Sequence, residues 1–320
     1  MEHRYYKLNF QGSGLELFRI KLVNLILTML TLGLYYPWAK AKTLDYLYNQ
    51  TYFEDSPFSF TGTGKEMFKG FIKAMLILLV FYAALIISMR FGEDHPGWFL
   101  TGVLCFYLLF IVMMPFILHG SYRYRMAKSN WRGIRFGYVG ERKVLVGIFL
   151  KGFFLTLITF GIYGAWFQVN LRRYMLSNVR IGNANFVYDA DGMDFFLLNI
   201  KGYFLTIFTL GIYWFWWQRD LYRFFVNNLR LEQGENKALF FNSRAEAVDF
   251  FELIVLNTLI VFLTLGLGTP WATTRTLNFV TRNMLINGYV AFDELEQAQE
   301  AYSDATGEEF SDLLDFGFII

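Results

Sequence analysis

One phrase, recurring along the chain, constrains the fold more than any other feature. Thr-x-x-Thr-(Leu/Phe)-Gly-x-Tyr-x-x-Trp stands at Thr28, Thr31, Gly33, Tyr35 and Trp38. It returns at Thr156, Thr159, Gly161, Tyr163 and Trp166, and again at Thr206, Thr209, Gly211, Tyr213 and Trp216. A degenerate copy reads Val261, Thr264, Gly266, Gly268 and Trp271. An Asn follows each, at Asn49, Asn178, Asn228 and Asn283, where it reads as a helix C-cap. A second phrase opens the units: Phe10-Gln-Gly-Ser-Gly-Leu-Glu-Leu-Phe and Phe60-Thr-Gly-Thr-Gly-Lys-Glu-Met-Phe nearly coincide, with weaker versions at Phe136, Phe186 and Phe241. The spacings of those openings are 50, 76, 50 and 55 residues, which is the mark of tandem duplication.

Each unit reads as a short strand pair, an apolar helix broken at its Gly, and a second helix carrying Trp, basic residues and Asn. The implied boundaries are 1–56, 57–132, 133–182, 183–237 and 238–292, followed by an acidic tail at 293–320. The tail holds nine acids and no Lys or Arg, which leaves 29 basic against 18 acidic residues in 1–292, a net charge of +11.

The solvent follows from composition. The chain is 55% hydrophobic and 18% charged, where a soluble domain averages about 25% charged. Trp98 to Leu118 is 21 residues without a charge, and Phe71 to Met89 is interrupted only by Lys73. A span needs about 20 apolar residues, so 71–118 reads as a transmembrane hairpin inside the second unit. Its connector, with Glu93, Asp94 and His95, has Arg90 alone beside it, whereas Lys65, Lys69, Arg123, Arg125, Lys128 and Arg132 flank its base. The positive-inside rule puts that base, both termini and the strands in the cytoplasm. The expected fold is an α-helical integral membrane protein of about five strand–helix–break–helix units with short cytoplasmic β-hairpins. In the other units charges fall in the middle of the second helix, and a charge at a lipid-facing helix centre costs about 2.5–3.5 kcal/mol. Those units are expected to dip into the membrane from the cytoplasmic side rather than to cross it.

The opening phrase, followed by Thr31-Leu-Gly-x-Tyr-x-Pro37-Trp-Ala-Lys40, resembles the YjgN-like family of bacterial inner-membrane proteins, a domain of unknown function. Residues 10–42 and 58–70 carry the likeness most clearly, and it extends over about 1–292. The resemblance implies a multi-pass protein of the bacterial inner membrane and supplies no activity.

No chemistry emerges from the polar residues. The three histidines, His3, His95 and His119, are not at metal-ligand spacing, and no cofactor or metal is implied. The single Cys105 excludes an internal disulfide and reads as a packed thiol in an apolar helix. Gly62-Thr-Gly-Lys65 lacks the spacing of a phosphate loop, and no nucleophile–base pair is present, so the chain does not read as an enzyme.

Two sets of residues remain. Lys40, Lys42, Arg123, Arg172, Arg173, Arg219, Arg223 and Arg275 are candidates for contact with a ligand or a headgroup, or form a solvated basic stripe. Thr28, Thr31, Thr156, Thr159, Thr206, Thr209 and Thr264 either pack helices with hydroxyls bonded to the backbone or line a polar path. Broken helices with polar residues at depth allow a transporter or channel-like protein for an anionic or lipid-like ligand. The alternative is a membrane scaffold that binds anionic lipid or a protein partner, the acidic tail being one place for such a partner. Nucleic acid is not indicated, because the basic residues lie beside apolar runs.

Overall fold

The computed structural model describes residues 4–92 and 96–296. Connector residues 93–95 and all of the acidic tail beyond Glu296 lie outside the described residues.

The chain alternates strand pairs with helix pairs. Strands β1 (Arg4–Tyr6) and β2 (Leu8–Phe10) precede helices α1 (Gly14–Leu30) and α2 (Tyr36–Asn49). Strands β3 (Thr51–Phe53) and β4 (Ser56–Phe60) precede the long helices α3 (Gly64–Gly92) and α4 (Pro96–Lys128). The order repeats with β5 (Ser129–Trp131), β6 (Ile134–Tyr138), α5 (Arg142–Ile158) and α6 (Gly164–Ser177), then with β7 (Val179–Ile181), β8 (Ala184–Tyr188), α7 (Gly192–Phe208) and α8 (Trp214–Asn227). It ends with β9 (Leu229–Gln233), β10 (Lys237–Ser243), α9 (Ala247–Leu263), α10 (Thr269–Asn283), β11 (Met284–Tyr289) and a 3₁₀ turn, η1 (Phe292–Glu294).

All eleven strands join one antiparallel sheet in the order β1-β11-β10-β9-β8-β7-β6-β5-β4-β3-β2. The two edge strands are consecutive in sequence, parted by Lys7 alone. Arg4 to Tyr6 pair with Gly288 to Ile286, and Leu8 to Phe10 pair with Phe53 to Thr51. One extended segment therefore bridges both ends of the sheet, which curls into a nearly closed barrel. Its core draws on every part of the sheet and includes Tyr6, Phe53, Trp131, Ile181, Leu231, Leu239 and Ile286. Phe292 of η1 enters this core with ring centroids 5.3 Å from Tyr6, 5.4 Å from Phe53 and 5.2 Å from Trp131. Phe292, Tyr6, Phe53 and Trp131 thus form an aromatic cluster inside the barrel, beside aliphatic residues.

The helices close a second ring. Each packs on its successor, and α10 packs on α1. The second helix of each pair also sits on the barrel: α2 on β4, α4 on β6, α6 on β8, α8 on β10 and α10 on β2. Among the described residues two helical stretches, Gly64–Arg90 and Gly97–Lys128, are long and apolar enough to cross a membrane.

The expectation of an α-helical integral membrane protein with separate short β-hairpins is thereby corrected. The hairpins merge into an eleven-stranded barrel-like sheet, and among the described residues only α3 and α4 are long and apolar enough to span. The reason is energetic. A two-stranded hairpin of three to five residues per strand is marginal alone, and its free edges invite pairing. Neighbouring hairpins satisfy each other's edges, and the apolar faces of all of them share one core. The expected placement of Cys105 as a packed thiol is also corrected, since it lies exposed on α4.

Candidate functional site

The four short helix pairs end in the same turn. Thr31, Thr159, Thr209 and Thr264 close the first helices, each hydroxyl donating to the carbonyl four residues back. The same oxygens accept from the backbone N–H of Tyr35, Tyr163, Tyr213 and Gly268, so one threonine caps both helices of its pair. The chain then passes through two residues with positive φ: Leu32 and Gly33, Phe160 and Gly161, Leu210 and Gly211, Leu265 and Gly266. The N–H of each Gly donates to the carbonyl of residue 28, 156, 206 or 261, in the manner of a Schellman turn.

The residue before each Gly is the unusual one. Leu32, Phe160, Leu210 and Leu265 are 94%, 98%, 94% and 93% exposed, with φ near +50°. A side chain in the left-handed region costs about 1–2 kcal/mol, and Asn or Gly relieves it. A turn facing water would gain twice from Asn, in backbone strain and in solvation. Leu or Phe in all four turns is explicable if the tips enter an apolar medium. Leu30, Ile158, Ile162, Phe208, Ile212 and Leu263 extend the exposed apolar surface down both sides of the tips. The long pair α3–α4 stands in the same ring, between α2 and α5.

Thr31, Thr159, Thr209 and Thr264 are thus part of these turns, and the other sequence-predicted residues lie on the helices. Of the remaining threonines, Thr28 and Thr156 donate to Asn24 and Gly152 carbonyls at 2.6 and 2.7 Å, while the buried Thr206 hydroxyl has no partner. The cations are not gathered at one place. Arg172 lies over the Phe225 ring at 3.8 Å, joining α6 to α8. Arg173 donates to the Ala190 carbonyl, and Arg223, its counterpart, donates to the Ala245 carbonyl at 2.8 and 3.2 Å. Both tie a second helix to the loop before the next first helix. Arg219 pairs with Asp220 at 2.7 Å, and Arg275 donates to Asn257 Oδ1 at 3.2 Å. Lys42 sits over the Tyr35 ring at 5.8 Å, while Lys40 and Arg123 are half-buried on α2 and α4.

The sequence reading passed over the apolar tip residues, although the signal was present: a large apolar residue beside a turn Gly, in four places. It also left unexplained why Trp ends one phrase and Gly sits in the other. Trp38 packs against Gly64, Trp166 against Gly192 and Trp271 against Gly14, so each Trp docks on the first helical residue of the next pair.

Comparison with known proteins supplies the family. Residues 5–197 and 235–313 match the family described as bacterial protein of unknown function (DUF898). The inner membrane protein YjgN of Salmonella typhimurium (strain LT2) is 27% identical over 207 residues, which are 61% of this chain and 50% of the relative. Inner membrane protein YjgN of Escherichia coli O157:H7 is 30% identical over 149 residues, 47% of this chain and 34% of the relative. The chain spans half or less of the length of these curated relatives. No solved structure matches. With its match covering well over half of the sequence, and with relatives named as inner membrane proteins, this chain belongs to the DUF898 family of bacterial proteins and is an inner membrane protein.

Proposed function

We propose that this chain is a lipid-engaging scaffold of the bacterial inner membrane, built of internal repeats, with its barrel in the cytoplasm. The α3–α4 hairpin crosses the bilayer. The other four pairs enter the cytoplasmic leaflet as re-entrant hairpins. The observation that carries this reading is the set of four exposed apolar tips held in strained turns. Length supports it. Helices α1, α5, α7 and α9 have 17 residues each, about 25 Å, against about 43 Å for the 29 residues of α3. Their last charges before the tips are Lys21, Lys151, Lys201 and Glu252. The 7–11 helical residues beyond those charges measure about 10–17 Å, close to half of a ~30 Å hydrocarbon layer. Lys21, Lys151 and Lys201 then fall at headgroup depth.

Transport of an anionic or lipid-like ligand is the second reading. A path along the barrel axis would require Phe292 and its aromatic neighbours to withdraw, and their dense packing favours the scaffold. Engagement of anionic headgroups by the basic body and the absence of catalysis belong to the same proposal.

The test is depth. Single cysteines at Leu32, Phe160, Leu210 and Leu265, in a Cys105→Ser background, would carry an environment-sensitive fluorophore in vesicles. The expected result is blue-shifted emission, quenched by lipids labelled deep in the acyl chain and untouched by aqueous iodide. A cysteine at Arg132, in the β5–β6 turn, should show the reverse. Iodide quenching at the tips would sink the re-entrant reading. Impermeant thiol labelling of Asp94→Cys from outside intact cells, with Arg132→Cys protected, tests the orientation.

A further inference from the structure

Four of the five first helices begin with an acid in their first turn: Glu16, Glu66, Asp194 and Asp249. Those carboxylates oppose the positive end of the helix dipole. Helix α5 does the opposite. It opens on Arg142 and Lys143, has no acid in its first turn, and its N-cap residue Glu141 makes no side-chain capping bond. Arg142 and Lys143 thus stand at the positive end of the dipole, beside the Glu141 carboxylate.

A cavity of about 630 Å³ lies at this helix start, between α4, α5 and the barrel strands β6 and β7. Arg123, Arg142, Lys143 and Arg180 line it, with Glu141 as the one carboxylate. His119 also lines it. That residue is 2% exposed, its ring meets Tyr138 edge-on at 5.4 Å, and its Nδ1 is buried without a partner. Arg180 Nε is likewise buried and unpaired. Unpaired buried polar atoms are costly, and here two of them border a cation-lined space. The depth is informative too. The uncharged run of α4 ends at Leu118, so His119 is the first residue past the apolar stretch, at headgroup level.

We propose that this cavity is a binding site for a phosphate group, supplied by the headgroup of an anionic phospholipid of the cytoplasmic leaflet. Guanidinium groups pair with phosphate oxygens through parallel N–H donors, and a helix start adds backbone dipoles to them. The orphaned ring nitrogen gives the site a further polar contact. This inference rests on the scaffold reading for the source of the phosphate, though not for the site itself.

The experiment uses the full chain. In one arm, the protein in nanodiscs of phosphatidylcholine doped with phosphatidic acid is assayed for retained phosphatidic acid by native mass spectrometry. In the other, inorganic phosphate is titrated into the detergent-purified protein and the thermal shift is read. The double variant Arg142→Gln/Lys143→Gln and the single variant Arg180→Gln are compared with Arg132→Gln, which lies in a barrel turn. The double variant should weaken phosphatidic acid retention roughly 30-fold, and Arg132→Gln should leave it unchanged. Arg142→Lys/Lys143→Arg, which keeps the charge, should restore it. Arg142 and Lys143 are exposed, so the substitutions leave the fold intact. Loss confined to the phosphate arm would keep the site and assign it to the free anion, overturning the headgroup as source. Equal binding by wild type and both variants in both arms overturns the proposal. Tip fluorescence of the double variant should remain lipid-quenched, so a failure of this site is distinguishable from a failure of the scaffold reading.

Discussion

Glycines decide where neighbouring units touch. A Cβ on Gly192 would lie 2.3 Å from Trp166 Cδ1, and on Gly64 it would lie 2.4 Å from Trp38 Cδ1. Gly192→Val should therefore cost about 1–3 kcal/mol, the range for overpacked cores, read as a lowered melting temperature in detergent. Burial pushes the Tyr188 phenol up to about 12, against the opposing pull of Arg172 and Arg173, and burial also pushes Tyr222 up to about 12. The unfolded chain ionises its tyrosines near 10. Stability linked to these phenols is complete below pH ~10 and is lost as pH rises toward ~12. An alkaline titration should show both phenols ionising late and together with loss of tertiary structure. Ionisation near pH 10 in the folded protein would contradict their burial.

At the scale of one helix pair, the threonine–glycine turn was legible and its purpose was not. The repeated Gly marked a break, and the φ values of 92°, 93°, 93° and 91° at Gly33, Gly161, Gly211 and Gly266 locate it. Nothing lies within 4 Å of a Cβ built on Gly211, so a side chain there meets no clash and pays only for its backbone. Gly211→Ala should cost about 1 kcal/mol rather than abolish folding. Leu210→Asn should act in the opposite sense in detergent, raising the melting temperature by relieving strain, while weakening insertion into vesicles. A lowered melting temperature in Leu210→Asn would show that the exposed leucine is held by the protein and not by lipid. Two of the four Asn read as C-caps take that place; Asn49 and Asn283 are instead the last residues of their helices, with Gln50 and Met284 as the caps. Asn178 and Asn228 are C-caps with φ of −98° and −92°, so they cap through side chains donating to the Tyr174 and Phe224 carbonyls. Periodicity identifies where a helix stops; it carries no record of which hydrogen bond stops it.

At the scale of the molecule, the sequence shows recurring phrases but not the way their segments associate. Short segments such as Thr51–Phe53 and Val179–Ile181 have too few residues to declare a partner, and strand order depends on neighbours 40 to 280 residues away. The cavity beside α5 was equally hidden, because Arg123, Arg142 and Arg180 are distant in sequence and only the strand pairing of β6 with β7 brings their segments together. Closure of the barrel rests on the segment 4–10. Tyr6 from β1 faces the core beside Phe292 and Phe53, and β1 covers the outer edge of β11. The adjoining Lys7 N–H donates to Glu54 Oε1 at 3.0 Å, and Glu54 N–H returns to the Lys7 carbonyl at 3.1 Å, which fixes the register across the seam. Removing residues 1–6 would leave the backbone of Ile286 to Gly288 unpaired on one side and open the aromatic core to water. An uncovered strand edge recruits another edge. The truncated protein should form detergent-solubilised dimers or larger species by light scattering and unfold over a broader, lower temperature range. Tyr5→Ala, which removes an exposed ring and leaves the pairing intact, should behave as wild type. A monomeric truncation with an unchanged melt would mean that β1 closes nothing, and that the sheet is an open strip held in its curve by the helix ring.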